Sequence, residues 1–306
     1  MKRIVSVSLG SSRRNHAATT EILGEQVVVE RIGTDGDMAR AVALIRELDG
    51  KVDAFGLGGI DLYLHAGGRR YAFRDARRLV EAASRTPVVD GSGLKNTLER
   101  RVIRWVDQNL MPLKGRKVLL VSSVDRFGMA EALAELGAET IFGDLMFALG
   151  LQIPIRKLET VQKLARVILP VITQLPFQWL YPTGEKQDKH EVRFSGYYQW
   201  ADMIAGDWLY IRRHMPDRLD GKVILTNTVT PANVEEVRER GAAMLVTTTP
   251  NIGGRSFGTN LMEALIVAFA GKHPEEMTPA DYEAWLDRIQ FTPRVERFGA
   301  ALPAAD

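Results

Sequence analysis

The stretch that decides the fold runs from Lys117 to Asp144 and reads KVLLVSSVDRFGMAEALAELGAETIFGD. It begins with the apolar run Lys117 to Ser122, which is typical of a strand buried on both faces of a sheet. Asp125 to Leu136 then has helical spacing, and Gly137 ends that helix before a second strand at Thr140 to Phe142. The order of strand, turn, helix and strand predicts a βαβ unit of a parallel sheet.

Downstream of this unit the alternation of strands and helices continues. Strands are predicted at Trp208 to Ile211, Val223 to Asn227 and Met244 to Thr248. Amphipathic patterns predict a helix at Ala232 to Arg240 and a closing helix at Thr259 to Ala270. Together with the βαβ unit, this order predicts an open, doubly wound parallel sheet of the Rossmann-like kind.

Upstream of Lys117 a smaller α/β unit is predicted. The β-branched runs Ile4 to Leu9, Val27 to Ile32 and Val52 to Leu57 are typical of strands. A long helix from Leu94 to Leu110 then connects this unit to the next. The predicted fold class is therefore α/β with two domains.

The domain organisation follows from these patterns. We predict an N-terminal α/β substrate domain at residues 1–112 and a Rossmann-like dinucleotide-binding domain at residues 113–272. Within the second domain, an insertion at about residues 145–197 is punctuated by prolines. Residues 273–306 are predicted to form a C-terminal helix and tail.

The composition argues against several classes of protein. The 306 residues carry 40 Lys and Arg against 38 Asp and Glu, a net charge of +2, so we expect no broad basic face for a nucleic acid. Cysteine is absent, which excludes disulfides, thiolate nucleophiles and cysteine-ligated metals. The histidines lack the spacing of a metal-ligand motif, and we predict no metal.

Signals for secretion or membrane insertion are not visible in the sequence. The N-terminus leads directly into a predicted strand rather than into the apolar segment of a signal peptide. The apolar stretch Val167 to Tyr181 is interrupted by prolines and is shorter than the ~20 residues that cross a bilayer. We therefore predict a cytoplasmic protein with a small-molecule substrate and no membrane partner, and a homodimer stays open.

Polar loops at the ends of predicted strands define the candidate catalytic residues. Ligands of open parallel sheets bind beyond the carboxyl ends of the strands, where helix N-termini face them. Lys95 follows the turn Asp90 to Gly93 at one such end, and Asp61 follows another. A Lys or a carboxylate with a tuned pKa can move the proton of a secondary alcohol. We predict catalytic roles for Lys95, Asp61 and Asp90; a solvated lysine and a helix-capping acid are the alternatives.

Substrate contacts are predicted next to Lys95 and after the first strand. Asn96 and Thr97 follow Lys95 in the same polar segment. Arg13, in the pair Arg13-Arg14, can clamp a carboxylate through paired N–H groups. Adjacent arginines are also common in solvated turns, and that alternative stays open.

The turn from Ser122 to Gly128 is the candidate cofactor site, although it lacks the Gly-x-Gly-x-x-Gly fingerprint. The predicted cofactor contacts in this turn and at later strand ends are Ser122, Ser123, Arg126, Phe127, Gly128, Asn227, Thr228 and Thr248. Asp144 lies about 20 residues beyond the turn, where an acid can bond a ribose 2′-hydroxyl. Because an acid there repels a 2′-phosphate, NAD is predicted in preference to NADP. An ordinary surface acid is the alternative.

The end of the chain carries a family resemblance. The closing stretch Gly258 to Ala264, GTNLMEA, and the segment Ala268 to Gly271, AFAG, resemble the last helix of the shikimate and quinate dehydrogenases. The two-domain layout is similar to theirs, and nearly the whole chain looks closest to a bacterial group labelled quinate 5-dehydrogenase. The resemblance implies hydride transfer between a nicotinamide cofactor and a small hydroxylated carboxylate. It also implies a substrate contact at Glu263, which stands where those enzymes have a glutamine.

The resemblance does not carry over the catalytic pair of that family. Those enzymes set a Lys in an Asn-Val-Thr-x-Pro context and an Asp after an Asn-Thr pair, whereas here Lys95-Asn96-Thr97 is followed by Leu98. An NAD(P)-dependent oxidoreductase is the leading interpretation. A dehydrogenase-like protein that binds a metabolite without turnover is one alternative, and a non-redox enzyme acting in the interdomain cleft is another.

Overall fold

A parallel sheet forms the centre of each of the two domains. The computed structural model describes residues 1–66, 68–175, 190–252, 255–256 and 258–299. Within these residues the first sheet has five strands and the second has six. The predicted α/β fold with two domains is confirmed.

The strands of the first domain are β1 (Lys2–Ser8), β2 (His16–Ile22), β3 (Glu25–Gly33), β4 (Ala54–Gly58), β5 (Tyr63–Ala66), β6 (Arg69–Ala72) and β7 (Val88–Val89). The sheet has the order β2-β3-β1-β4-β7, in which β2 runs antiparallel to β3. Strands β5 and β6 form a separate hairpin. Because β3 lies on one side of β1 and β4 on the other, a topological switch point lies beyond the carboxyl ends of β1 and β4.

The helices of the first domain are α1 (Met38–Leu48), α2 (Arg77–Val80) and α3 (Ser92–Asn109). Helix α3 is the predicted connecting helix. It begins after Gly91, whose φ of 98° is a left-handed conformation that favours glycine. A side chain there would also collide with a neighbouring segment, because a Cβ on Gly91 would lie 2.8 Å from the backbone nitrogen of Asn260.

The strands of the second domain are β8 (Lys117–Leu120), β9 (Glu139–Phe142), β10 (Met203–Ala205), β11 (Val223–Thr226), β12 (Met244–Thr247), β13 (Asn251–Ile252), β14 (Arg255–Ser256) and β15 (Arg294–Arg297). The sheet has the order β15-β12-β11-β10-β8-β9, with β15 antiparallel to β12. Strands β13 and β14 pair separately. The chain passes from β8 to β9 on one side and continues at β10 on the other, so the switch point lies beyond β8 and β10.

The remaining helices are α4 (Phe127–Glu135), α5 (Asp144–Phe147), α6 (Leu158–Ile172), α7 (Ser195–Trp200), α8 (Trp208–His214), α9 (Pro231–Glu239), α10 (Thr259–Ala270) and α11 (Pro279–Arg288). Helix α10 returns to the first domain, where Leu261, Ala264 and Leu265 share an apolar cluster with Ile4 and Ala54 of the first sheet. The chain thus passes between the domains at α3, again before α10, and a third time before β15, which pairs with β12. The two domains are therefore joined by three connections.

One predicted strand is wrong. Residues Trp208 to Ile211 form the first turn of α8, and the strand at that place is β10. Asp207 caps the helix, because its Oδ1 accepts a hydrogen bond of 2.9 Å from the Leu209 N–H. Trp208 and Ile211, at the two ends of the segment, are both buried. Their i, i+3 spacing places them on one face of a helix. The predicted strands at Val223 to Asn227 and Met244 to Thr248 are confirmed as β11 and β12.

Some features of the sequence lie beyond the described residues. Residues 176–189 of the predicted insertion and the tail from residue 300 are outside them. Among the helices that the structure does describe, none is long and apolar enough to cross a membrane. The same part of the chain contains no group of three His, Asp or Glu side chains that could hold a metal ion.

Candidate active site

The candidate site lies where the carboxyl edges of the two sheets meet. In the first domain, Asp61 follows β4, and Lys95 lies in the first turn of α3 beyond β7. In the second domain, Asp125 lies in the turn after β8, just before α4. Helices α3 and α4 pack against each other and bring the two edges together. The predicted catalytic residues Lys95 and Asp61 therefore meet a residue of the second domain.

Lys95 is held between two carboxylates. Its Nζ donates a hydrogen bond of 2.7 Å to Oδ1 of Asp125 and lies 3.5 Å from Oδ1 of Asp61. Only 14% of the Lys95 side chain is exposed. Burial by itself would lower the pKa of Lys95, but the carboxylates of Asp125 and Asp61 outweigh burial and raise it. Lys95 is therefore a charged donor, and a role as a neutral base does not fit this geometry.

A small polar pocket opens at Lys95. Its lining residues are Tyr63, Leu64, Ser92, Lys95, Asn96 and Asp125. Its volume of about 10 Å³ admits about one water molecule. A ligand larger than water must therefore lie across the mouth of the pocket, with one polar group pointing down to Lys95. The predicted substrate residue Asn96 lines this pocket.

Asp90 connects two segments of this site through hydrogen bonds. Its Oδ2 accepts a hydrogen bond of 2.5 Å from the Leu62 N–H, next to Asp61. Its Oδ1 accepts hydrogen bonds from the N–H and the hydroxyl of Ser92, at 3.1 and 2.6 Å. Its two oxygens therefore hold the loop that carries Asp61 and the start of α3, and the catalytic role of Asp90 stays a prediction.

Arg126 forms the second charged centre and is only 3% exposed. Its Nη1 donates to Oε1 of Glu99, and its Nη2 donates to Oδ2 of Asp207 at 3.2 Å. The same Asp207 oxygen accepts a hydrogen bond of 2.9 Å from Nδ2 of Asn227. Two residues predicted to contact a cofactor, Arg126 and Asn227, therefore both donate to the half-buried Asp207.

Glu99 and Asp207 are site residues that the sequence reasoning missed. Glu99 lies one helical turn after Lys95, and this i, i+4 spacing on α3 was the signal that could have found it. Burial raises the pKa of Glu99 to about 7, although Arg126 opposes the shift. Asp207 follows β10, and it was missed because that short strand was not predicted. Both acids lie at the junction between the domains.

Asp144 binds the turn that was predicted to bind a pyrophosphate. Its Oδ1 accepts hydrogen bonds of 2.9 Å from the N–H groups of Ser123 and Val124, and its Oδ2 accepts one from the Ser123 hydroxyl. Burial raises the pKa of Asp144, and the hydrogen bonds from Ser123 and Val124 oppose that shift. In this arrangement the carboxylate occupies the N–H groups of the turn. The ribose contact of Asp144 stays a prediction.

Phe127 and Gly128 have packing roles in the structure. Phe127 is buried in the core at the start of α4. A Cβ on Gly128 would lie 2.5 Å from the backbone oxygen of Asn96, so this glycine lets α4 approach α3. The cofactor contacts of Phe127 and Gly128 stay predictions.

The edge of the second sheet still offers polar groups to a ligand. The hydroxyls of Ser122 and Thr248 are buried and have no hydrogen-bond partner among the described residues. Ser122 follows β8 and lies beside Gly206. Gly206 packs closely against the end of β8, because a Cβ on Gly206 would come within 2.6 Å of Val121 Cγ2. Thr228 lies partly buried after β11. Buried hydroxyls without a partner are expected where a ligand or a water completes the site.

The other predicted substrate residues lie apart from the pocket. Arg13 is exposed, in the short 3-10 turn Ser12–Arg14 after β1. Thr97 is buried and borders a separate cavity of about 380 Å³ between α3 and α11. Glu263 is 3% exposed, with Oε2 accepting from the Gly91 N–H and Oε1 from the Tyr282 hydroxyl, both at 2.7 Å. These three are not brought together with Lys95.

Fold and site together define a two-domain α/β protein with a charged cleft between a small parallel-sheet domain and a Rossmann-like domain. The chain belongs to the family described as Domain of unknown function (DUF8754), whose model matches residues 93–298. A second model, Domain of unknown function (DUF8753), matches residues 3–90. The two matched segments adjoin where α3 begins.

Several solved structures are distantly similar to this chain. No curated protein matches the sequence. A Thermus thermophilus glutamate dehydrogenase aligns with a TM-score of 0.41 and 12% identity over 94% of this chain and 73% of its own. A galactofuranose binding protein aligns with a TM-score of 0.36 and 12% identity, over 95% of this chain and 99% of its own. A Thermotoga maritima NAD-dependent malic enzyme aligns with a TM-score of 0.34 and 14% identity over 98% and 85%.

Proposed function

We propose that this protein is an oxidoreductase that transfers hydride between a nicotinamide cofactor and a small hydroxylated carboxylate of the quinate or shikimate kind. The observation that carries the proposal is the position of Lys95. Its ammonium lies at the domain junction, on the floor of a polar pocket, between Asp61 of the first domain and Asp125 of the second. This position suits a group that must meet the substrate where a cofactor on the second sheet would also reach it.

The chemistry assigned to the pocket is proton transfer at a secondary alcohol. Lys95 stays charged, so it donates a hydrogen bond to the substrate oxygen and stabilises negative charge that develops there. Asp61, 3.5 Å from the ammonium and 18% exposed, can accept the proton of the alcohol. In the opposite direction the protonated carboxyl group of Asp61 returns its proton to the oxygen of the ketone as hydride arrives, while the charged Lys95 keeps its hydrogen bond to that oxygen.

The switch point of the second sheet is the place proposed for the cofactor. The buried hydroxyl of Ser122 lies there, after β8, and that of Thr248 lies two strands away from β10, at the end of β12. Neither has a partner among the described residues, which fits a polar ligand along this edge. A nicotinamide bound there would supply the acceptor or donor of hydride. The N–H groups of Ser123 and Val124 suit an anion, since they already hold the Asp144 carboxylate. A pyrophosphate must therefore displace that carboxylate.

Asp144→Ser tests this competition. We expect the substitution to strengthen NADH binding about tenfold, ~1.4 kcal/mol, because it frees two N–H groups and removes a negative charge beside the phosphates. The measurement is a titration of the protein with NADH, monitored by nicotinamide fluorescence. Thermal unfolding checks that the variant is folded. Ser123→Ala is the matched control, since it removes one contact of Asp144 but keeps its charge on the turn. Weaker NADH binding with a gain of NADPH binding would instead support the predicted ribose contact.

Turnover of quinate and shikimate with NAD and NADP tests the proposed function itself. The wild-type protein is expected to reduce the cofactor with one of these compounds. Lys95→Met should abolish the activity, and Asp61→Asn, which keeps the pair of Lys95 and Asp125, should lower kcat about a hundredfold or more. If the wild-type protein binds neither NADH nor NADPH, or if Asp61→Asn retains full kcat, the proposal is wrong.

A metabolite-binding protein without turnover is the second candidate. It is favoured by one observation: the carboxylate of Asp144 fills the turn on which a dinucleotide would rest. Such a protein would bind a hydroxylated carboxylate in the Lys95 pocket but would bind no nicotinamide cofactor. The NADH titration and the turnover measurement together separate the two functions.

A further inference from the structure

The hairpin of β5 and β6 places an arginine at the rim of the Lys95 pocket. Tyr63 in β5 lines that pocket. Tyr63 pairs with Ala72, and Arg70 lies two residues before Ala72 on the same face of the hairpin. The guanidinium carbon of Arg70 lies 4.3 Å from the centre of the Tyr63 ring. The ring therefore holds the cation next to the mouth of the pocket.

The charges around Lys95 indicate what Arg70 could bind. Asp61 and Asp125 flank the single ammonium of Lys95, and Asp61 lies behind the pocket lining. The nearest further cation, Arg126, lies 3.9 Å from Asp125 and is itself paired with Glu99 and Asp207, so the acids around the pocket outnumber the cations. Such a floor attracts the hydrogen-bond donors of a hydroxylated ligand but repels its carboxylate. A carboxylate is better placed at the rim, where Arg70 supplies the opposite charge.

The geometry of Arg70 suits a carboxylate. The guanidinium lies over the ring of Tyr63 and carries N–H groups in a planar fork that matches the two oxygens of a carboxylate. Arg70 is exposed, and it forms no ion pair with any acid in the part of the chain that the structure describes. The stacking on Tyr63 also reduces the conformational freedom that the side chain loses when it binds.

We propose that Arg70 binds the carboxylate of the substrate while the hydroxyl to be oxidised points to Lys95. The inference rests on the proposed function for the identity of the ligand as substrate. It adds a residue that orients the substrate and requires a small molecule carrying both a carboxylate and a hydroxyl. Arg69 offers a matched comparison, because it is equally exposed and its side chain alternates to the other face of β6.

The experiment is a titration of protein labelled with ¹⁵N in arginine, observed at the Nε–H resonances. The probes are quinate and its methyl ester, which differ in the charge of the carboxyl group. We expect quinate to shift the Arg70 resonance in a saturable way and the ester to leave it in place. Arg70→Gln should weaken quinate binding about tenfold or more, whereas Arg69→Gln should leave it unchanged.

Several outcomes would overturn the inference. They are an Arg70 resonance that quinate does not shift, equal shifts by quinate and its ester, equal losses in Arg69→Gln and Arg70→Gln, or an equal response to inorganic phosphate. Failure of the proposed function looks different, because quinate would still bind through Arg70 but no cofactor would be reduced. If turnover occurs and Arg70→Gln has the KM of Arg69→Gln, the function stands and the role of Arg70 is wrong.

Discussion

Replacing Lys95 by Met is expected to lower the free energy of unfolding by about 3 kcal/mol. The substitution removes the ammonium that lies 2.7 Å from Asp125 and 3.5 Å from Asp61, although Arg126 stays 3.9 Å from Asp125. Losing the opposite charge beside partly buried carboxylates costs more than losing an exposed ion pair. Urea denaturation monitored by tryptophan fluorescence measures the free energy of unfolding of both proteins.

The partner of Lys95 supplies the decisive control. Adding Asp125→Asn to Lys95→Met removes one of the two carboxylates that lost the ammonium. The double variant should therefore recover part of the lost free energy of unfolding. Lys51→Met, at an exposed lysine, is the matched single substitution and should change stability little. Equal stability of Lys95→Met and Lys51→Met would contradict the buried ion pair. A double variant less stable than Lys95→Met would show that Asp125 stabilises the fold through other contacts.

The regular elements of the second sheet could be predicted because their signals are local. The predicted segments agree with β11, β12 and α10 to within a residue at each end. Strand β10 was missed because three buried apolar residues are too short to show a period. The aromatic and branched residues that follow it resemble a strand, and the cap at Asp207 makes them a helix.

The candidate site could be predicted only in part. Lys95 and Asp61 were each predicted from the end of a strand, and the structure brings them to 3.5 Å. Asp125 could not be paired with Lys95 from the sequence, because the contact depends on how closely α3 and α4 pack. That packing is set by Gly128 against Asn96, a tertiary contact with no local pattern.

Glu263 shows how a residue predicted for the substrate acts within the fold. It lies on α10, and its carboxyl group joins the start of α3 through Gly91 and joins α11 through Tyr282. Burial and the nearby Asp90 raise the pKa of Glu263 to about 8, although the hydrogen bonds from Tyr282 and Gly91 oppose the shift. At neutral pH this residue is therefore mainly a neutral hydrogen-bonding group between three helices.

Glu263 should make the stability of the protein depend on pH. Its pKa is higher in the folded state than the ordinary 4.5, so its stabilising contribution is complete below pH 4.5 and is lost as the pH rises through about 8. The loss is on the order of 5 kcal/mol, because the shift from 4.5 to about 8 is worth ~1.4 kcal/mol for each pKa unit. Glu263→Gln stays neutral and should flatten this part of the profile, measured by urea denaturation between acidic and alkaline pH. Glu276→Gln, at an exposed acid, should retain the wild-type slope, and identical slopes in the two variants would show that Glu263 does not titrate in this range.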